Sequence, residues 1–297
     1  MFSSRSSSII KTLVYADIFD YPLTSHEVTS YLISDSEIKD KVVQNQLRIL
    51  TDSKQIYTDG EFYFLKGRNR IVELRKKRKG WSKQKWEIAW ITTNKLKIIP
   101  TIKMIGVTGA LAMENCNKED DIDLLIVTSQ NSLWLTRLFL ILSAPLLGIN
   151  RRKPNDINVN NKICFNLFLD EDHLKINPEN LFLAHEIVQV KPVFDRGGVY
   201  ERFIWENRWV RNYLPNAFDS SKFKVQSAKL QLKTKSWFFP VIRFLNMIAY
   251  FVQYRYMKSK MTVEKVSLYQ AFFHPRDFQK EVETKFHQTT IQIGLDN

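Results

Sequence analysis

The N-terminal part of the chain has the apolar spacing of short helices followed by a hairpin. Apolar residues at helical spacing predict helices over about residues 8–19 and 38–53, and a capping box at residues 24–27 begins another helix between them. Residues 59–60 are Asp-Gly between two runs rich in aromatic and β-branched residues, which predicts a tight β-hairpin. Three helices and a hairpin are the elements of a winged helix-turn-helix, so we predict this domain for residues 1–68.

The middle of the chain has the pattern of a buried sheet. After a helix rich in aromatic residues, apolar runs at residues 102–107, 124–127 and 162–169 predict buried strands. Residues 133–147 predict a helix that covers these strands. We therefore expect a mixed sheet within residues 69–175.

The last part of the chain has mainly helical spacing, so we predict a helical domain over residues 176–297. Its longest predicted helix runs from about residue 228 to 259, with a kink at Pro240. Taken together, the pattern predicts an α+β (mixed α/β) fold with three domains.

Two apolar segments, Leu138–Ile149 and Trp237–Tyr254, call for a test of membrane insertion. A spanning helix needs ~20 predominantly apolar residues, and the first segment is too short while the second is interrupted by Pro240 and Arg243. We expect helices buried in the protein and no transmembrane segment. The alternative is a segment that lies on a membrane surface and is anchored by nearby basic residues.

The composition is that of an ordinary globular protein. Of the 297 residues, 44% are hydrophobic and 25% are charged, which excludes a largely disordered or fibrous chain. The two cysteines, Cys116 and Cys164, lie far apart, so neither a disulfide framework nor a zinc site is predicted. The beginning of the chain lacks the apolar core of a signal peptide, and we expect a cytoplasmic protein.

The charge is positive and unevenly distributed. A net charge of +13 predicts a partner that carries negative charge, such as nucleic acid, nucleotide phosphate or an anionic membrane surface. Residues 69–110 carry 11 basic and 2 acidic side chains, whereas residues 1–68 carry 8 and 9. The helix at residues 38–53 is therefore a candidate for DNA binding, but phosphate contacts supply much of the affinity for DNA and this segment has no positive excess. A packing or interaction module is the alternative.

The residues that carry chemistry follow the strand at residues 102–107. Thr108-Gly109-Ala110 predicts a turn into a short helix, where the missing Cβ of Gly109 lets a phosphate approach the backbone N–H groups. Asp121 and Asp123 flank the start of the next strand, and residues two apart on a strand project from the same face. Two neighbouring carboxylates are suited to a hard cation such as Mg²⁺ (or Mn²⁺).

This arrangement resembles the signature of the polymerase-β-like nucleotidyltransferase superfamily: a strand, a Gly-Ser turn, about ten residues, and then Asp-hydrophobic-Asp-hydrophobic. Here Gly109-Ala110 is followed by ten residues and by Asp121-Ile122-Asp123-Leu124. The chain is also similar to uncharacterised bacterial nucleotidyltransferase-domain proteins with an N-terminal winged helix, in stretches such as ADIFDYPLT, AHEIVQVKP and ERFIWENRWV.

The resemblance implies a nucleotidyltransferase palm with a basic connector helix in residues 69–175. It also implies that Asp121 and Asp123 are catalytic and bind the metal ion, and that Gly109 and Ala110 bind the nucleotide phosphates. ATP or another NTP would be the substrate.

Two departures from the family pattern affect these expectations. Ala110 replaces the usual Ser, so only backbone donors remain for the phosphate. A third carboxylate, which serves as general base and metal ligand in many members, is expected on the strand at residues 162–169, where the inward polar residue is Asn166. An amide can coordinate a metal ion but cannot accept the attacking proton. Asp156 and Asp170 are the alternatives for this role.

Other polar residues are interpreted as structural. His185, next to Glu186, has no second metal ligand at helical spacing, so we expect a packed histidine. The basic turn at residues 151–153 is expected to be solvated. Arg137 is either a phosphate contact or, as we favour, a surface side chain.

The expected function is the Mg²⁺-dependent transfer of a nucleotidyl group from an NTP to an acceptor, with RNA and a small molecule among the candidates. The alternative is a catalytically weak or inactive protein that senses a nucleotide, binds DNA as a regulator, or acts as an antitoxin-like partner. Ala110 and Asn166 favour this alternative.

Overall fold

The protein is described from a computed structural model over residues 4–154, 156–218, 239–273 and 278–295. The predicted α+β class is confirmed, since helices surround a six-stranded mixed sheet and a second sheet of three strands lies near the N-terminus.

The N-terminal region has the element order and strand pairing expected of a winged helix. The three strands are antiparallel in the order β1-β3-β2. The predicted capping box is present, because the Thr24 hydroxyl accepts from the Glu27 N–H and the Glu27 carboxylate accepts from the Thr24 N–H. The elements are α1 (Ser4–Asp17), β1 (Leu23–Thr24), α2 (Ser25–Ser30), α3 (Asp40–Asp52), β2 (Tyr57–Thr58) and β3 (Phe62–Phe64).

This region forms hydrogen bonds with the rest of the protein at several points. The long helix α4 (Arg70–Leu96) follows it, and Arg75 donates two hydrogen bonds of 2.8 Å to Glu27. On the same helix, Arg78 donates to the Phe19 carbonyl at 3.0 Å. Part of the positive charge of the basic connector is thus used inside the protein, which supports the packing interpretation of the N-terminal module.

The large sheet has the strand order β7-β4-β5-β6-β9-β8. β5 and β6 are parallel, and the other neighbours are antiparallel. Three of the strands come from residues 176–297, so this segment is not purely helical as predicted. The missed strands have five, two and three residues and lie toward the sheet edges, too short to show a clear period. The strands are β4 (Ile102–Val107), β5 (Ile122–Thr128), β6 (Ile163–Asp170), β7 (Lys191–Asp195), β8 (Lys265–Val266) and β9 (Gln270–Phe272).

Helices cover both faces of the sheet. Along β5, Leu124 and Ile126 belong to the core formed with α4, α6 and α9, whereas Leu125 and Val127 belong to the core formed with α7 and α8. Asp123 has the parity of Leu125, so it faces the side of α7 and α8. The remaining helices are α5 (Gly109–Ala112), α6 (Leu133–Ser143), α7 (Leu181–Gln189), α8 (Val199–Glu206), α9 (Phe239–Lys258) and α10 (Phe278–Gln292).

The predicted long helix near the C-terminus differs from the structure in two ways. α9 begins at Phe239, so Pro240 lies in its first turn, where proline is tolerated, and residues 228–238 lie outside the described residues. The expectation of burial is wrong for this helix, because much of its apolar surface faces outward. Among the described residues, no helix is both long enough and apolar enough to cross a membrane.

Candidate active site

The glycine turn after β4 lies directly against the second carboxylate of the motif. Gly109 has a φ of +62°, and a Cβ added there would lie 3.0 Å from Oδ2 of Asp123. The Thr108 N–H also donates to the Asp123 carbonyl at 3.1 Å. Glycine is therefore required here by both the left-handed backbone and the close approach of the carboxylate. Ala110, the next residue, is exposed.

The two motif carboxylates share a cluster with a cysteine that sequence reasoning missed. One ligand atom from each of Asp121, Asp123 and Cys164 lies within 4.8 Å of the other two. Burial, together with the charge of Asp121, raises the pKa of Asp123 to about 8. Burial, together with the two carboxylates, raises the pKa of the Cys164 thiol, which therefore stays protonated. Cys164 pairs with Asp123 in the parallel ladder and shares the parity of Asn166, which is the sequence signal that could have found it.

Asn166, the residue expected where related proteins have a third carboxylate, lies beside Asp123. The pairing of β5 with β6 shifts at this residue, because Leu124 pairs with Phe165 and Leu125 with Leu167. The Asn166 amide donates to Oδ1 of Asp123 at 2.8 Å. Its own Oδ1 is buried and has no hydrogen-bond partner among the described residues, so a neutral oxygen acceptor is available beside the carboxylates.

The alternative carboxylates lie elsewhere. Asp156 forms a 2.8 Å ion pair with Lys162. Asp170 accepts from the backbone N–H groups of Asn131 and Asp172, and it pairs with Thr128, about 16 Å along β5 from Asp123 at the usual rise per residue. Neither residue contributes a third carboxylate to the cluster.

Arg152 corrects the expectation that the basic turn at residues 151–153 is merely solvated. Its guanidinium donates to Oδ2 of Asp121 at 2.7 Å. Arg152 belongs to the loop between α6 and β6, and its backbone N–H donates to the Ile163 carbonyl at 2.9 Å. The sequence signal was weak, because only the pairing of β5 with β6 brings this loop to the motif.

Lys85 is a second basic residue that holds loops beside the site, and the many other basic residues of the connector helix made it hard to recognise from the sequence. Its side chain is 1% exposed, and its ammonium donates to the carbonyls of Lys118 and Asp120 and to the side-chain oxygens of Asn160 and Asn161. It thereby ties the loop before Asp121 to the loop that follows Arg152. Its spacing of three or four residues from the buried Ser82 and Ala89 was a signal for an inward position.

Asp123 opens onto a cavity of about 850 Å³. Besides Asp123, Gly109 and Ala110, the cavity is lined by residues of α1 and the turn after it, of α7 and of α10, which include Tyr15, Phe19, His185, Glu186, Phe278 and Glu283. The predicted winged helix thus contributes part of the wall. Its volume lies within the usual range of small-molecule sites.

Two neighbouring residues of α7 add polar groups to this cavity. His185 stacks on Tyr15 with ring centroids 3.9 Å apart, as a packed histidine would, but its Nε2 is buried without a partner among the described residues. Burial lowers the pKa of His185 to about 3, so the ring is neutral. Burial raises the pKa of Glu186 to about 7, and this carboxylate has no ion pair or hydrogen bond within the described part of the chain.

Arg137 is neither a phosphate contact nor a free surface side chain. It donates to Gln253 of α9 and lies 4.4 Å from the ring centroid of Phe273. Burial lowers the pKa of this guanidinium to about 10. Arg137 therefore acts in the packing of α6 on α9.

Comparison of the chain with protein-family models, with curated proteins and with solved structures found no match. The site is consequently interpreted from its own geometry.

Proposed function

We propose that the protein is a divalent-metal-dependent nucleotidyltransferase of the polymerase-β-like type, which moves a nucleotidyl group from an NTP to an acceptor. The observation that carries this proposal is that Asp123 and the Gly109 turn lie together on the wall of a large cavity, with Asp121 in the same carboxylate cluster as Asp123. A triphosphate needs a cation and a close approach to backbone donors, and this wall offers groups suited to both.

The residues of the cluster fit a hard cation. Asp121 and Asp123 would hold Mg²⁺ or Mn²⁺, with the unpaired amide oxygen of Asn166 as a further acceptor. The protonated Cys164 is a poor ligand for such an ion. When bound, the ion would neutralise phosphate charge and polarise the transferred group. The high pKa of Asp123 also fits this role, because a nearby cation would favour its ionised form.

The remaining roles fall to residues of the cavity. The backbone at Gly109 and Ala110 would hold the triphosphate without the hydroxyl of a serine. Glu186 is the carboxylate that we propose as proton acceptor for the acceptor hydroxyl, because it lines the same cavity and a pKa of about 7 suits a general base. Aromatic walls and a volume of about 850 Å³ favour a small-molecule acceptor over RNA.

A nucleotide-sensing regulator without turnover is the second candidate. Two observations favour it: Arg152 already supplies a positive charge to Asp121, and Asn166 stands where a third carboxylate would be needed. In such a protein the NTP would bind in the same cavity and would not be consumed. DNA binding by α3 would then be the output, since Lys41, Gln44 and Arg48 on this helix are exposed.

The two candidates are separated by label transfer from α-³²P NTPs in the presence of Mg²⁺ or Mn²⁺, with a small-molecule extract and an RNA extract offered in turn. We expect label transfer by the wild type and at least a hundredfold loss in Asp123→Asn, because this carboxylate has the least compensated charge. Asp156→Asn is the matched control, since Asp156 bonds only to its own loop and should leave transfer unchanged.

The outcomes have different meanings. Metal-dependent NTP binding without transfer to any acceptor would favour the regulator. Equal transfer by wild type and Asp123→Asn would contradict the proposed active site. Absence of NTP binding would contradict both candidates.

A further inference from the structure

The outward face of α9 is unusually apolar. Eight of its large apolar side chains are between 38% and 67% exposed, and they include Phe244, Ile248, Phe251 and Val252. At 100° per residue these four lie on one side of the helix. Phe139, Leu142 and Leu146 in and after α6, the helix on which α9 packs, are also exposed. Exposed apolar surface of this extent commonly marks a binding site for a protein or a membrane.

The inward face of the same helix carries two buried polar side chains beside the buried Ala249, whereas most of its larger apolar side chains lie outward, unlike the usual pattern of a surface helix. Asn246 is 1% exposed, and its side-chain oxygen accepts from the N–H groups of Trp134 and Leu135 at 2.8 and 3.2 Å. Gln253, 7% exposed, donates to the Trp134 carbonyl at 2.9 Å and accepts from Arg137. These bonds fix the rotation of α9 on α6, so the apolar face is held outward by the fold.

The charges of α9 indicate what this face meets. The helix contains Arg243, Arg255 and Lys258 and no acidic residue, and Lys260 follows it and lies over the Tyr256 ring at 4.0 Å. Arg255 and Lys258 project from the apolar side of the helix. We propose that α9 docks on an anionic membrane surface, with its apolar side chains at the level of the acyl chains and its basic side chains among the headgroups.

Other partners fit this face less well. A symmetric dimer through α9 would bring the basic side chains of two copies together with no carboxylate on either helix to compensate them. Nucleic acid would match the charge but would leave the exposed Phe and Ile side chains without an apolar partner. A bilayer surface with anionic lipids satisfies both kinds of side chain.

The test is flotation of the full chain with vesicles of phosphatidylcholine alone or mixed with phosphatidylglycerol. We expect binding to the mixed vesicles only and a loss of at least about tenfold in Ile248→Glu, because burial of one isoleucine side chain contributes at least a factor of this size to the affinity. Ile49→Glu on α3 is the matched control: Ile49 is 47% and Ile248 45% exposed, and the control should bind like the wild type. Arg255→Gln/Lys258→Gln should weaken binding by about fivefold per charge removed.

Several results would overturn the proposal. One is absence of flotation with the mixed vesicles, and another is equal loss of binding in the Ile248→Glu and Ile49→Glu variants. A dimer in light scattering that Ile248→Glu converts to a monomer, without vesicle binding by the wild type, would show that the face joins two copies of the chain. A lower melting temperature in Ile248→Glu alone, again without flotation of the wild type, would show that the face is covered within the protein.

Discussion

Asp121 and Asp123 lie two residues apart on one strand edge, yet they have different surroundings. Asp121 has a cation of the protein beside it, the guanidinium of Arg152 at 2.7 Å. Asp123 faces Gly109, Asn166 and the thiol of Cys164, and within the described chain it has no ion pair. The carboxylate deeper in the site is the one whose charge is not compensated.

This difference shows where the site needs positive charge. Burial of a charged carboxylate without an ion pair is unfavourable. Burial of Asp123 therefore favours its neutral form and raises its pKa to about 8. The Asp-x-Asp motif alone therefore does not define the electrostatics, because its two members have different partners. Under the proposed function, a metal ion would be attracted mainly by Asp123, with Arg152 competing for Asp121.

Among variants that keep both carboxylates, the largest effect should come from crowding Asp123 while leaving Asp121 untouched. In Gly109→Ala the new Cβ would lie 3.0 Å from Oδ2 of Asp123 and would force the carboxylate or the turn to move. We expect at least a tenfold loss of metal-dependent NTP binding, measured by titration calorimetry. The left-handed backbone should add about 1–2 kcal/mol of destabilisation.

A second glycine separates these two effects. Gly148 has the same φ of +62°, but the nearest atom to an added Cβ there is Nζ of Lys95 at 3.6 Å. Gly148→Ala should therefore show a similar loss of stability with unchanged NTP binding. If both variants lost binding equally, the contact between Gly109 and Asp123 would have no specific role.

A smaller effect is expected when the two carboxylates are made more alike. In Arg152→Gln, Asp121 loses its cation, and the cluster becomes more negative because the charge of Arg152 also lowers the pKa of Asp123. We expect the affinity for Mn²⁺, measured by electron paramagnetic resonance, to increase several-fold. Arg151→Gln is the control, since Arg151 bonds to the Arg152 carbonyl and not to the carboxylates. A decrease in affinity would mean that Arg152 positions Asp121 for the metal ion.

The sequence predicts one half of this site well and the other half poorly. Gly109, Asp121 and Asp123 lie within fifteen residues, so strand parity and glycine chemistry suffice to place them together. Asn166 could also be anticipated from the parity of a neighbouring strand. Cys164 shares that parity and could have been found in the same way. Arg152 comes from the loop before β6, which reaches the site only through the parallel pairing of β5 with β6, and a single sequence does not give that register.

The fold shows the same division between local and distant information. The capping box at Thr24 and the strands β4 to β6 follow from local patterns and are confirmed. The two buried amide side chains of α9 could not be predicted from periodicity, because periodicity assigns the apolar side of a helix to the core. Asn246 and Gln253 reverse that assignment through bonds to a helix more than a hundred residues earlier.

The smallest effect concerns Glu186, the carboxylate of α7 on the cavity wall, whose charge also raises the pKa of Asp123. The pKa of Glu186 is about 7 in the folded protein and 4.5 in its ordinary state, so the folded state binds this proton more tightly. Stability is therefore greatest below about pH 4.5 with respect to this group and is lost as the pH rises toward 7. Asp123 acts in the same direction and extends the decline toward pH 8.

Melting curves in EDTA from about pH 5 to about pH 8 test the contribution of Glu186 to this loss of stability. The wild type should lose stability across the range, whereas Glu186→Gln should show a decline that is smaller by a few degrees, because only Asp123 then titrates with a raised pKa. Glu283→Gln serves as control. Glu283 lines the same cavity and, like Glu186, raises the pKa of Tyr15, but Glu283 is exposed to solvent. Identical curves for the wild type and Glu186→Gln would place Glu186 in contact with water or a cation, and its proposed role as proton acceptor would lose its basis.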